Sequence, residues 1–451
     1  MTLGGVDKDG KPADNKLSKL ILQAGINAKT HQPTLSVRWN DKLSHGFKIK
    51  AIECIKAGSG YPAIFCDKQA IKRFQMVTKA PVEDARDWAP CGCVDMQVCG
   101  KRAPMHAINH FSMPKILELV LNNGANPMNG QKIVDTQIDA DTASFDDILR
   151  EFKRIVNLAC KTFVEIENIR ALVKNEVGLN LVFLSALLDD CIEKGLHCQE
   201  GGCRYNDSPY MISCGMVNVA NSLASIKKNV FEEKNFTMKE LKEALKQNFE
   251  GYERIKRLCL DAPKYGNDDP FVDYIARDLY NSWSEIVQRY KNWLGEPFRP
   301  SMLSVVTQVV LGKAIGALPD GREAYLPLAD GGLSPFPGTD YSGPTAVLKS
   351  AVTIKAEKQQ STLLNIKFHP TALWGKENTE KFIVFNDVYD ELGGYHVQYN
   401  VIDNKMLKDA QVHSENYQDL MVRVAGFTAR FVELGKDAQD EIIKRTEYMQ
   451  V

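Results

Sequence analysis

Three cysteines and a carboxylate lie close together in a stretch of chain without a hydrophobic period. The segment CGCVD (91–95) lies inside residues 81–105, which are rich in proline, glycine and cysteine, and Cys99 follows it. We predict a long loop here, and such loops in compact domains commonly carry function. The C-x-C-x5-C spacing is neither a zinc nor a ferredoxin pattern, so we expect no metal site. A buried structural role is the ordinary alternative for each thiol.

A glycine near the C-terminus is the second candidate. The segment RVAGFTA (423–429) places Gly426 between a strand-like run and a closing helix. Such a pattern is typical of a glycine in a turn, because glycine adopts positive φ angles without steric cost. The residues alone leave a turn and a chemical role both open.

Taken together, these segments resemble the glycyl radical enzymes of the pyruvate formate-lyase superfamily. RVAGFTA is similar to the signature Arg-Val-x-Gly-(Tyr/Phe)-(Ser/Thr)-Ala, and Gly-Cys93-Val-Asp95 resembles the Gly-Cys-x-Glu of the lyase and decarboxylase branches. The resemblance covers essentially the whole chain. Its further segments are MPKILELVLNNG (113–124), GGCRYN (201–206), PKYGNDDPFVD (263–273), the Gly/Pro-rich stretch 317–350 and LLNIKFHPTAL (363–373).

This resemblance implies a role for three residues. Gly426 would store a radical at Cα, where delocalisation into both flanking peptide groups needs a planar backbone that a side chain would twist. Cys93 would form the thiyl that attacks substrate, since its S–H bond is close in strength to a glycine Cα–H bond. Asp95 would move protons. A separate S-adenosylmethionine radical enzyme would activate Gly426, and the chain itself would bind no cofactor.

Two departures from the family pattern limit which reactions of the family this chain is expected to catalyse. Asp95 stands where these branches usually have Glu, which shortens the reach of the carboxylate by one methylene, so the mechanism of no single branch transfers directly. The pyruvate formate-lyases use two adjacent cysteines and no Cys-Cys pair exists here, so formate-lyase activity is not expected. The Phe427-Thr428 version of the signature looks most like the arylacetate decarboxylases of the 4-hydroxyphenylacetate type. A diol-dehydratase-like or other C–O or C–N lyase is the alternative, although Met96 follows Asp95 where those enzymes usually have Pro. A non-catalytic half that only binds a partner chain is the other alternative.

The resemblance also implies a fold and a domain division. We expect an α/β chain that forms the second half of a ten-stranded barrel with surrounding helices. Residues 1–320 would be the barrel half that carries the Cys loop, and residues 321–451 the glycyl radical domain. An isolated half-barrel would expose strand edges and an apolar face, so a complementary N-terminal half or a homo-oligomer is expected.

Local patterns predict the elements that must position these residues. PTLSVRW (33–39) and AIFCD (63–67) indicate strands, and so do KFIVFNDV (381–388) and YHVQYNVID (395–403). Residues 144–195 are strongly helical and end at a glycine suited to a C-cap, and Thr237 is a candidate N-cap. Helix exceeds strand in an alternating order, which favours an α/β fold.

Composition excludes several classes of function. The chain has 451 residues, with 56 Lys and Arg against 57 Asp and Glu, so no charge excess favours nucleic acid or an anionic membrane. No apolar run approaches the ~20 residues of a membrane span. We therefore expect a cytoplasmic location, and the resemblance implies an enzyme that acts on a small organic substrate. His106, His110 and His369 are expected to be structural, and for Arg38 and Arg204 a structural ion pair is expected over substrate binding.

Overall fold

The computed structural model describes residues 1–103, 107–206 and 208–451. Strands and helices alternate through these ranges. The strands are β1 (Thr2–Gly4), β2 (Ser36–Trp39), β3 (Ala63–Cys66), β4 (Trp88–Cys91), β5 (Asp95–Val98), β6 (Ala107–Ser112), β7 (Tyr210–Cys214), β8 (Arg299–Ser301), β9 (Asn365–Phe368), β10 (His396–Val401), β11 (Met421–Arg423), β12 (Thr428–Arg430) and β13 (Glu447–Tyr448).

The helices outnumber the strands and are on average longer. They are α1 (Lys16–Ala28), α2 (His45–Lys56), α3 (Asp67–Val77), α4 (Val82–Arg86), α5 (Met113–Leu121), α6 (Phe145–Glu176), α7 (Val182–Ala186), α8 (Cys191–Lys194), α9 (Met216–Ile226), α10 (Met238–Lys246), α11 (Glu253–Leu260), α12 (Pro270–Gln288), α13 (Thr307–Gly312), α14 (Pro344–Val352), α15 (Gly375–Leu392), α16 (Asn404–Val412) and α17 (Lys436–Lys444).

One six-stranded sheet joins strands from both ends of the sequence. Its order is β1-β2-β3-β10-β9-β13, and all neighbours are parallel except β3 and β10. Since β1 to β3 come from the start of the chain and the other three from its end, the predicted units 1–320 and 321–451 share a sheet. They also share the main hydrophobic core, which includes both Leu3 and Tyr448. The boundary between these units stays a prediction.

A second, three-stranded sheet continues the architecture. Its strands β6, β7 and β8 are parallel, and Met302 just after β8 forms a parallel bridge with Thr362 just before β9. The α/β class is confirmed. The ten-stranded barrel, and the place of this chain as its second half, stay predictions.

Several local predictions are confirmed by the structure. The two early strands form as β2 and β3, and α6 begins at a capping box in which Ser144 and Asp147 satisfy each other's backbone N–H groups. Thr237 and Glu240 form a second capping box at the start of α10. Gly195 ends α8 with a left-handed backbone, as expected of a C-cap glycine.

Two local predictions are wrong. KFIVFNDV lies inside helix α15, where Phe382, Phe385 and Tyr389 are buried at helical spacing while Val384 and Val388 face outward. The β-branched and aromatic residues that suggested a strand are therefore spread around a helix. Residues 81–105 are not simply a loop, because β4 and β5 form a hairpin within them.

Among the described residues, no helix combines the length and the hydropathy needed to cross a bilayer. The cytoplasmic location stays a prediction.

Candidate active site

Two hairpins carry the residues that the sequence singled out. The first pairs β4 with β5, and its turn contains Gly92, with φ at +61°, followed by Cys93. The second pairs β11 with β12, and its turn contains Ala425 and Gly426. The φ angle of Gly426 is +88°, in the region that side-chain-bearing residues rarely adopt. Each candidate therefore lies in the turn at the tip of a hairpin.

The tips of these hairpins meet inside the protein. A β-carbon built on Gly426 would lie 2.9 Å from Sγ and 3.1 Å from Cα of Cys93, closer than real side chains approach. Gly426 is buried and Cys93 is half-buried. No side chain other than hydrogen fits at position 426, because Cys93 occupies the space where a β-carbon would lie.

A buried amide holds the glycine hairpin in place. Oε1 of Gln398, on β10, accepts hydrogen bonds from the backbone N–H of Gly426 over 3.1 Å and from Nε of Arg423 over 2.7 Å. Asn400, two residues further along the same strand face, exchanges two hydrogen bonds with the backbone of Arg423. The central sheet thus fixes the strand that leads into Gly426.

A charged cluster supports the other side of this hairpin. Arg445 donates to the carbonyl of Val424 over 3.0 Å and forms ion pairs with Glu441 and Asp330 at 2.8 and 3.2 Å. Burial raises the pKa of Asp330 to about 6, and the charge of Arg445 opposes that rise. Asn365 on β9 donates both to Asp330 and to the carbonyl of Val424. Buried polar groups paired in this way rigidify a site.

Asp95 occupies an unusual position beside the thiol. Its Oδ2 accepts a hydrogen bond from the hydroxyl of Tyr210 over 2.9 Å, while its Oδ1 is buried and has no hydrogen-bond partner among the described residues. Burial raises the pKa of this carboxyl to about 6, against the opposing effects of Tyr210 and the arginines Arg102 and Arg73. A carboxyl with a pKa near neutrality can both accept and donate a proton.

The thiol of Cys93 is kept protonated. Burial raises its pKa first, and the nearby charge of Asp95 raises it further. Hydrogen-atom exchange with carbon requires an intact S–H bond, whereas nucleophilic attack requires the thiolate. The arrangement of Cys93, Asp95 and Gly426 thus suits radical chemistry better than nucleophilic catalysis.

Sequence reasoning missed the residues that position the site. Gln398, Asn365 and Tyr210 lie on three different strands, and no local motif marks their side chains. Arg423 was visible as the first residue of RVAGFTA, but its role in the hairpin was not. The one signal in the sequence was a polar amide or hydroxyl side chain within an otherwise apolar strand. Such a side chain needs a hydrogen-bond partner when it is buried.

The remaining sequence candidates lie in structural contacts. Arg38 pairs with Asp67 at 2.7 Å, and Arg204 pairs with Asp190 at 2.8 Å. Burial lowers the pKa of His110, which disfavours its charged form. His106 lies outside the described residues.

One group of side chains could hold a metal ion. Within residues 1–103, 107–206 and 208–451, the single set of three ligand atoms lying within 4.8 Å of one another comes from His369, Asp403 and Glu447. In this set Asp403 also caps α16 through the N–H of Lys405, and His369 accepts from the N–H of Thr371. These bonds account for the set as helix-end structure.

Comparison with known proteins identifies the family of the chain. The family model "Pyruvate formate lyase-like" matches residues 1–312, and the model "Glycine radical" matches residues 329–432. The chain is 38% identical to an indoleacetate decarboxylase of Tractidigestivibacter scatoligenes and 35% identical to a 4-hydroxyphenylacetate decarboxylase glycyl radical subunit of Clostridioides difficile. Each alignment covers 99% of this chain and 54% of the relative.

The chain also superposes on solved structures of two dehydratases. The chain superposes with a TM-score of 0.95 on the glycerol-bound B12-independent glycerol dehydratase of Clostridium butyricum, at 37% identity, covering 100% of this chain and 57% of that one. It reaches the same score on the hydroxyproline dehydratase of Clostridioides difficile, at 34% identity, covering 99% and 56%. The chain therefore spans about half the length of the relatives that it matches.

Proposed function

The chain belongs to the pyruvate formate lyase-like family of glycyl radical enzymes, and from this premise we propose that Gly426 and Cys93 are its radical pair. Gly426 stores the radical between turnovers. In each turnover Cys93 gives its hydrogen atom to Gly426, and the resulting thiyl attacks a small organic substrate.

The single observation that carries this proposal is the contact between the two hairpin tips. Hydrogen-atom transfer needs donor and acceptor in direct contact, and a β-carbon at Gly426 would lie 2.9 Å from Sγ of Cys93. Burial of Gly426 supports the storage role, because a carbon radical persists only where water and oxygen are excluded.

We propose decarboxylation of an arylacetate as the reaction. The thiyl takes one electron from the substrate carboxylate, carbon dioxide leaves, and the resulting Cys93 thiolate takes up a proton and then returns a hydrogen atom to the product radical. Asp95, with its pKa raised to about 6 by burial, would supply that proton. The decarboxylase names of several relatives support this choice.

Dehydration is the second candidate. Relatives also include a trans-4-hydroxy-L-proline dehydratase at 36% identity and a sulfopropanediol dehydratase at 33% identity. In this case the thiyl would remove a hydrogen atom from carbon, and Asp95 would deliver the proton that leaves with the hydroxyl as water. Screening of arylacetates against diols with the activated protein separates these two reactions.

We further propose that working protein includes polypeptide beyond these 451 residues, on the same chain or on another. The second half of α6 and the residues after it expose an apolar stripe, which soluble proteins normally cover. Its exposed side chains are Ile166, Ile169, Leu172, Val173, Val177, Leu179, Val182, Phe183, Leu187 and Ile192.

This partner proposal is tested on the purified chain alone. We expect self-association in sedimentation experiments and no turnover. Phe183→Asp, at a position 81% exposed, should reduce self-association, while the control Tyr341→Asp, at a position 75% exposed elsewhere, should not. A stable, active monomer would contradict the need for further polypeptide.

We propose that a separate S-adenosylmethionine radical enzyme activates Gly426, because radical generation of this kind is the chemistry of that enzyme's cofactor. The deciding experiment is anaerobic EPR after incubation with that enzyme, S-adenosylmethionine and a reductant. We expect a glycyl doublet whose large splitting is lost when glycine is deuterated. Absence of the signal when the complementary polypeptide is present would favour the non-catalytic alternative.

A further inference from the structure

The outer edge of β5 is closed by side chains and not by another strand. Among the described residues β5 pairs only with β4, so the carbonyl groups on its other side have no strand beside them. Pro90 lies opposite Met96 and has no N–H group, so Met96 turns its carbonyl away from β4. Strand geometry repeats every two residues, so the carbonyl of Val94 points the same way. Both residues are fully buried, and their carbonyls need other partners.

These two carbonyls accept hydrogen bonds from side chains that come from distant parts of the sequence. The hydroxyl of Tyr395, directly before β10, donates to the carbonyl of Val94 over 2.8 Å. The carbonyl of Met96 accepts from Nη1 of Arg102 over 2.8 Å and from Nε2 of Gln360 over 3.4 Å. These side chains therefore fix the part of the hairpin that carries the proposed thiyl and its neighbouring carboxyl.

Gln360 is the shared acceptor of two buried arginines. Its Oε1 accepts hydrogen bonds from Nη2 of Arg73 and from Nη2 of Arg102, the latter over 3.3 Å. The two guanidinium carbons lie 5.8 and 5.6 Å from the centroid of the same ring, that of Phe74. Burial, and after it the charge of Arg73, lowers the pKa of Arg102. Two like charges in a dry site repel each other, and the oxygen of Gln360 is the acceptor that both share.

The backbone around Gln360 is itself held on two sides. Its N–H donates to the carbonyl of Pro300 on β8 over 2.6 Å. The carbonyl of the preceding residue, Gln359, accepts from Nε of Arg73 on α3, also over 2.6 Å. Since Gln360 is only 1% exposed, its amide has a fixed position between β8 and α3.

We propose that Gln360 is a positioning residue that holds the Cys93 hairpin in place against the Gly426 hairpin. This inference rests on the proposed function, in which a hydrogen atom passes between these two residues. Gln360 acts through Arg102 and the carbonyl of Met96 and does not need to contact substrate. Its effect on the rate follows from geometry, because a displacement of about 1 Å in the reacting groups can cost about 100-fold.

The test measures how often the Cys93 hairpin opens in the full 451-residue chain, without activation. The protein is alkylated with iodoacetamide for increasing times and digested with trypsin. Fragment ions of the peptide 87–101 give the labelling rate of Cys93 separately from those of Cys91 and Cys99. Labelling of a half-buried thiol follows the open population of its segment. In Gln360→Met we expect a rate roughly 5- to 30-fold higher, because two buried guanidinium groups lose their shared acceptor.

Two further variants separate positioning from general packing. Gln359→Met changes a neighbouring glutamine that is equally buried and whose Oε1 has no partner within the described part of the chain. Cys93 labelling in this control should stay at the unmodified rate. Gln360→Glu keeps an oxygen acceptor for both arginines and should restore the unmodified rate.

The fully buried thiols Cys160 and Cys259 report on global unfolding and should stay unlabelled in every variant. If Gln360→Met labels them as well, Gln360→Asn is measured in its place, because its amide is one methylene too short to reach both arginines. Equal Cys93 labelling in this variant and the unmodified chain would overturn the proposal. Equally fast labelling in Gln360→Glu and Gln360→Met, or in Gln359→Met and Gln360→Met, would do the same.

Activated protein gives the second readout. Gln360→Met should keep the glycyl EPR doublet but turn over substrate about 10- to 100-fold more slowly, and Gln360→Glu should regain most of the rate. A doublet with unchanged turnover in Gln360→Met would contradict the positioning role. A missing doublet in the unmodified protein would instead refute the radical pair, and the labelling of Cys93 would still decide what Gln360 does.

Discussion

The side chain of Gln398 accepts the backbone N–H of Gly426 over 3.1 Å, so a residue on the central sheet sets the orientation of the proposed radical carbon. The same oxygen also binds Arg423, whose guanidinium is buried and whose pKa is lowered to about 10 by that burial. Gln398 is therefore one of three amides, with Asn400 and Asn365, that attach the hairpin carrying Gly426 to the sheet.

Replacing Gln398 should weaken the attachment of the hairpin that carries Gly426. Gln398→Leu leaves two buried donors unpaired, and each loss costs roughly 1–3 kcal/mol. We expect a lower unfolding free energy and a glycyl EPR signal that is weaker and decays faster than in the unmodified protein. Gln411→Leu, at a half-buried glutamine on α16, is the control and should leave the signal unchanged. An undiminished EPR signal in Gln398→Leu would show that the hairpin keeps Gly426 in place without the hydrogen bonds to Gln398.

Gly426→Ala should abolish the radical signal entirely. Alanine must adopt φ near +88°, which costs roughly 1–2 kcal/mol, and its methyl group would press on the Cys93 thiol. Gly435→Ala is the matched control, since position 435 has φ at −61° and no atom within 4 Å of the added carbon. Anaerobic EPR and a thermal melt separate loss of the radical from loss of the fold. A radical in Gly426→Ala would place the storage site elsewhere.

Cys93→Ser should separate storage of the glycyl radical from turnover of substrate. Serine is nearly isosteric, but its O–H bond is too strong to give a hydrogen atom to a glycyl radical. We expect a normal EPR doublet and no product formation in the variant. Cys91→Ser, at the end of β4 in the same hairpin, should retain turnover. Loss of activity in both variants would mean that two thiols take part.

The raised pKa of Asp95 predicts a pH dependence of stability. Because the folded carboxyl titrates near 6 and an unfolded one near 3.9, the folded state binds more protons between these values. Its contribution to stability is complete below about pH 4 and is lost as the pH rises through 6. Asp95→Asn cannot ionise. Between pH 4 and pH 7 its unfolding free energy, measured by urea titration, should therefore fall by about 2 kcal/mol less than that of the unmodified protein.

Exposed Asp9→Asn serves as the comparison for this titration and should follow the unmodified protein at every pH. Identical pH profiles for Asp95→Asn and the unmodified chain would mean that Asp95 titrates normally. In that case its proposed part in proton exchange near neutral pH would lose its support.

Much of the local structure follows from the sequence because its causes are local. Ser144 and Thr237 begin helices through bonds to residues three positions away, and Gly195 ends one through its own backbone freedom. The strand expected at 381–388 failed because an apolar run of this length fits either element, and only packing of Phe382 and Phe385 against the core decides between them.

The sequence by itself determined which atoms are available for chemistry: a glycine without a side chain at 426, a thiol at 93 and a carboxyl at 95. Only the tertiary structure decided that Gly426 packs against Cys93, because this packing depends on β3 pairing with β10 across most of the chain. Burial, which no motif specifies, keeps Cys93 protonated and moves Asp95 toward neutral pH. The protein environment, not the residue type, sets these two protonation states.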